Sequence, residues 1–73
     1  MKDLPYEVVI GKNNHYMASD WCQARFGKRW EAIGHREGTW CCFWAGTRGD
    51  DAGKYRYHFQ FQEDAVFFAL KWQ

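Results

Sequence analysis

Between Lys54 and Trp72 the sequence changes its period, and that change limits what the chain can fold into. In KYRYHFQF the residues alternate strictly. Tyr55, Tyr57, Phe59 and Phe61 point one way, while Lys54, Arg56, His58 and Gln60 point the other, as in a strand buried on one face. QEDAVFFALKW follows at once with a helical period. Glu63 and Asp64 place negative charge where a helix N-terminus favours it, and Ala65, Phe68, Ala69 and Trp72 recur at i, i+3, i+4 and i+7. The strand supplies an aromatic wall, and the helix is the element available to lie on it.

Upstream, Pro5 fixes where the first element begins, and the β-branched run Tyr6–Ile10 predicts a strand that ends at the turn Gly11–Asn14. A helix is expected from Met17 or Ser19 to Phe26, with Ser19 as N-cap and Gly27 as its stop. Arg29–Gly34 (RWEAIG) reads as a short strand, His35–Gly38 as a loop, and Thr39–Ala45 (TWCCFWA) as a strand. The Gly- and Asp-rich GTRGDDAGK then leads into the strand that begins at Lys54. The order is β-α-β-β-β-α: a single α+β domain over residues 1–73. The expected architecture is a two-layer sandwich, an antiparallel sheet of three to four strands with two helices on one face. Without the Arg29–Gly34 strand, the remainder is a ferredoxin-like β-α-β-β-α unit lacking its last strand.

A chain of 73 residues buries only about 60% of its unfolded surface, so its core must be reinforced. Five Trp, six Phe and four Tyr supply that mass. Disulfides do not suit it, because three cysteines are an odd number and Cys41 and Cys42 are adjacent. Reduced thiols, no apolar signal segment near the N-terminus and no membrane-length apolar run together predict a cytoplasmic protein without a membrane partner. A net charge of +1 argues against recruitment to nucleic acid by bulk electrostatics.

Two stretches carry more apolar surface than one small protomer needs. In TWCCFWA neither face is polar, and beyond its main stripe the last helix adds Val66, Phe67 and Leu70. Surplus of this kind predicts a homo-oligomer, most simply a two-fold dimer, or another protein partner, with Trp40, Trp44, Phe67 and Leu70 at the interface. The plainer explanation is that the regions of Cys22, Phe26 and Trp30 fold over these rings within one chain.

Sites of chemistry are sparse. Cys22, Cys41, Cys42, His15, His35 and His58 have no metal-ligand spacing, so no metal or other cofactor is expected. Cys41 or Cys42 could sit beside His58 on neighbouring strands, but nothing identifiable would orient the imidazole, and cysteines among tryptophans are inert hydrophobes. Asp50 and Asp51 read as solvated turn formers, and GTRGDDAGK matches no phosphate-binding loop. No enzyme activity is expected. The alternative function is binding of single-stranded nucleic acid. Lys54, Arg56 and His58 would share a sheet face with Trp40 and Trp44, or with Phe43, depending on register.

The C-terminal third carries Phe59-x-Phe61, Asp64-Ala65 and Phe68-x-Leu70-x-Trp72, and it resembles the endings of small uncharacterised proteins from marine tailed phages and environmental sequences. The resemblance implies a viral origin, with a host-cytoplasmic accessory role, and attaches no activity to any residue.

Overall fold

The computed structural model describes residues 3–50 and 52–73. Among these residues, strand β1 (Tyr6–Gly11) leads through a single 3-10 turn (Lys12–Asn14) into helix α1 (His15–Phe26). Strands β2 (Trp40–Trp44) and β3 (Lys54–Phe59) follow, and helix α2 (Gln62–Trp72) closes the fold. The sheet is antiparallel in the order β1-β3-β2, so the strongly alternating segment is its centre. The protein is thus an α+β two-layer sandwich with three strands. Its connectivity is that of a ferredoxin-like unit without a fourth strand beside β1.

Register decides which side chains meet the helices. Tyr57 stands opposite Val8 on one side and Cys42 on the other, and Phe59 stands opposite Tyr6 and Trp40. With Ile10 these rows form the helix-facing side, and Ala18 and Cys22 of α1 and Ala65 and Phe68 of α2 close over it. Phe68 is the keystone, stacked 4.5 Å from Tyr57 and 5.2 Å from Phe59, centroid to centroid. Trp21 leans on Phe68, Phe26 and Trp72 at the layer's edge. Fully buried aromatic rings of this size each contribute roughly 1.5–3 kcal/mol, which is how so short a chain holds a core.

α1 starts earlier than Ser19. The 3-10 turn delivers the chain already wound, so the helix begins at His15, and Ser19 lies inside it. At the other end Gly27 adopts φ +90° and its amide bonds the Gln23 carbonyl at 3.1 Å, the glycine stop expected from sequence.

The expected strand Arg29–Gly34 does not form. Trp30 donates its amide to the Trp40 carbonyl (2.8 Å), and the chain then doubles back through a turn closed by the lone bridge between Glu31 and His35. Only Trp30 and Ile33 are large and apolar there, and Ile33 is left in solvent, so a full strand would gain no burial. Gly38 is what lets the loop close. A Cβ on it would lie 2.3 Å from the Trp30 amide nitrogen.

Candidate functional site

The helices cover one face of the sheet and leave the other open. Across that open face runs the row Glu7–His58–Cys41, one residue from each strand, followed by Val9–Arg56–Phe43 and then by Gly11 and Lys54. The hydrogen-bond phase of the sheet explains how the first row is used. Thr39 accepts from the Gln60 amide and Lys54 from the Ala45 amide, so Cys41 and His58 form a hydrogen-bonded pair in the ladder. In the central strand, bonding alternates sides. His58 and Glu7 are therefore a non-hydrogen-bonded pair, in which side chains approach more closely. The imidazole turns accordingly to Glu7, with Nε2 3.6 Å from Oε2, and Phe43 packs edge-on against it at 5.7 Å.

This geometry works against Cys41 as a nucleophile. The thiol is 4% exposed, burial pushes its pKa up, the neighbouring Cys42 adds to that, and Arg29 offsets only part. No hydrogen bond joins it to His58 among the described residues. Cys42 points to the helix side, where the Arg29 guanidinium lies 3.8 Å from its sulfur. Cys22 is buried too, with a pKa raised by desolvation. The three thiols are free. No group of three or more His, Cys, Asp or Glu that could hold a metal occurs among the described residues. Of the two turn aspartates, Asp50 is an exposed turn residue and Asp51 lies outside the described residues.

At the Glu7–His58–Cys41 end the open face is hollowed into a cavity of about 380 Å³. Trp30 lines it from the loop beside β2, and Leu4 and Pro5 from the segment leading into β1. The sequence offered no motif for this cavity. Its one signal was that Cys41 and His58 fall on adjacent strands.

Trp40, expected at an interface, is instead a core residue. It is 1% exposed, stacks parallel to Tyr57 at 6.1 Å, and its indole N–H donates to the Gly27 carbonyl at 2.8 Å. Trp44 shares its face but sits at the strand's end, 46% exposed and edge-on to Tyr55. Neither tryptophan accompanies Lys54, Arg56 and His58. The row beside those cations is Cys41 and Phe43, so the stacking surface expected for nucleic acid is split between two faces. Of the remaining interface candidates, Trp44 stands apart on β2, while Phe67 and Leu70 are together on α2. The Arg25 guanidinium caps the Phe67 ring at 4.2 Å, and Leu70 stands 82% exposed on the outside of α2.

A second surface assembles around Leu70. The outward phase of β1 leaves the N–H and C=O of Glu7 and Val9 pointing away from β3, and no strand pairs with that edge among the described residues. The Gln73 side chain reaches the Val9 carbonyl at 3.5 Å, so the C-terminal end of α2 overhangs the edge. Val66 is seven residues before Gln73 and lies on the same side of the helix, with Leu70 one turn along. Val66, Phe67 and Leu70 with Gln62 and Glu63 line a shallow hollow of about 450 Å³.

A third patch lies at the far end of the sheet. His15 stacks on Tyr55 (3.6 Å, 4° between planes), and Tyr57 donates its hydroxyl to the His15 carbonyl at 3.2 Å and lies 2.9 Å from its Nδ1. Burial, with a smaller effect from Arg29, lowers the His15 pKa. No helix among the described residues is long and apolar enough to cross a membrane. Compared with protein-family models, curated proteins and solved structures, the chain matches none.

Proposed function

We propose that this chain is a small assembly protein that pairs with a second copy of itself through the open edge of β1 and the adjoining side of α2. One observation carries the reading. The outward N–H and C=O groups of Glu7 and Val9 point away from β3, and the Val9 carbonyl meets the Gln73 side chain at the end of α2, the helix that leaves Val66 and Leu70 exposed. The Val9 carbonyl already meets Gln73, but the edge still offers the Val9 N–H and the Glu7 N–H and C=O for main-chain hydrogen bonds, and the exposed apolar side chains of α2 offer burial, so a second β1 running antiparallel uses both. A two-fold axis perpendicular to the sheet keeps the helices of both copies on one side and brings the two α2 helices together. Trp40 plays no direct part, and Leu70 keeps the role expected of it from sequence. In the setting that the phage resemblance suggests, this is an accessory rather than a catalytic role.

The test is solution mass by light scattering after size exclusion, with and without a short single-stranded oligonucleotide. The wild type should run as a dimer that ignores the oligonucleotide. Val9→Pro removes one outward donor without touching the β1–β3 ladder and should give a folded monomer. Leu70→Lys removes a side chain worth roughly 1.5–3 kcal/mol on full burial, so it should weaken pairing about 10- to 100-fold. A monomeric wild type at the highest soluble concentration refutes the proposal. An oligonucleotide-dependent shift would favour the nucleic-acid alternative.

A further inference from the structure

We infer that the cavity on the open sheet face is a binding site for an alkylammonium group. The row Glu7–His58–Cys41 lines it from the sheet, and Trp30, Phe43, Leu4 and Pro5 line it with that row. Among the described residues that line it, the carboxylates of Asp3 and Glu7 are the only formal charges, and none is Lys or Arg. Arg56 is next along β3 on this face but is not part of the lining.

The chemistry of the lining selects the ligand. An anion would meet two carboxylates, and the imidazole nitrogen nearest to them, Nε2 of His58, is already turned to Glu7. A neutral apolar molecule would make no use of the Asp3 carboxylate, or of Glu7 beyond its contact with His58. A cation with an apolar skin uses every part of the cavity. Aromatic faces attract positive charge, the aliphatic residues pack against methyl or methylene groups, and the carboxylates supply long-range attraction. A tight hydrogen-bonding cage for a bare ammonium ion is lacking, which favours the alkylated form. At about 380 Å³ the cavity holds a trimethylammonium head and a short chain. A free quaternary amine and a methylated lysine side chain share this chemistry.

The site is independent of the proposed pairing, because the edge groups of β1 lie in the plane of the sheet whereas the cavity lies on its face. The experiment is a titration of 15N-labelled protein with choline, with a short trimethyllysine peptide and with 3,3-dimethylbutanol, the uncharged carbon counterpart of choline. Saturable shifts of the Trp30 indole N–H and of the Cys41 and Phe43 amides are expected with both cations. Tighter binding of choline marks a small-molecule site, and tighter binding of the peptide a side-chain reader. The neutral analogue should bind about tenfold more weakly. Glu7→Gln and Asp3→Asn should each weaken cation binding about two- to fivefold with no change in far-UV circular dichroism. Equal binding of the neutral analogue overturns the inference. So do unchanged affinity in the Glu7→Gln, Asp3→Asn double variant and the absence of saturable shifts with either cation.

Discussion

Replacing Trp40 by Phe separates a core residue from an interface residue more cleanly than any other single change. The indole N–H is the donor that ties the Gly27 carbonyl, at the stop of α1, to the first residue of β2. Phenylalanine leaves that carbonyl without its partner, which costs about 1–2 kcal/mol. It also shrinks a ring that is 1% exposed and stacked on Tyr57, which costs about another 1–2 kcal/mol in lost burial and cavity. The sum is about 3 kcal/mol. A domain of 73 residues has roughly 4–11 kcal/mol of stability in all, so the variant should still fold, with its Tm lower by about 12–24 °C. Thermal and urea melts at two protein concentrations give the answer. The shift should be the same at both, because Trp40 acts within one protomer. A stability change below about 0.5 kcal/mol, with a concentration-dependent melt that the variant abolishes, would show that the ring belongs at an interface and would refute the core assignment.

Three further outcomes follow from other features. Gly38→Ala drives a Cβ to within 2.3 Å of the Trp30 amide nitrogen, so the loop must open; the expected signs are a lowered Tm and a displaced Trp30 indole resonance, and a resonance left in place would contradict it. The folded His15 pKa lies below its ordinary value, so beneath about pH 6.5 the unfolded chain takes up that proton first and stability falls as pH falls. Wild-type Tm should therefore drop between about pH 7.5 and pH 5.5 by more than that of His15→Gln, and equal drops would refute the assignment. Finally, Cys22, Cys41 and Cys42 are buried, and the pKa of both Cys22 and Cys41 is raised. A thiol-reactive chromophore at about pH 8 should label none of them quickly in the native protein and all of them in denaturant, and rapid native labelling would show that the structure is more open than described.

Most of the fold was legible where the period was long. The alternation through Lys54–Phe59 and the stripe Ala65, Phe68, Ala69, Trp72 appear in the structure as the central strand and the helix upon it. Gly27 as a helix stop was legible because its chemistry is local. RWEAIG was misleading because so short a window resembles a strand, whereas the Trp30–Trp40 hydrogen bond and the Gly38 approach that bend it come from a distant part of the chain. The candidate site was less legible still. In TWCCFWA both faces are apolar, so nothing local indicates which row the helices cover. Pairing Trp40 with Phe59, rather than shifting it by one residue, sends the tryptophans inward and turns Cys41 and Phe43 outward. The cavity then needs Trp30 and Leu4 brought from the two sides of the sheet.

The placement of β3 between β1 and β2 also sets the order in which the chain can fold as it is made. β1 and α1 are made before the strand that β1 pairs with, and neither neighbours a completed sheet until Lys54–Phe59 has been synthesised. β2 and β3 can zip locally as a hairpin, but β1 must close a loop that spans most of the chain, the slower kind of contact. The apolar run Tyr6–Ile10 therefore waits, unpaired, until Lys54–Phe59 has followed it. Its partner is also the strand that carries Tyr57 and Phe59, against which Phe68 packs. Sheet closure and core formation thus become one late event, and a chain interrupted before Lys54 would have neither.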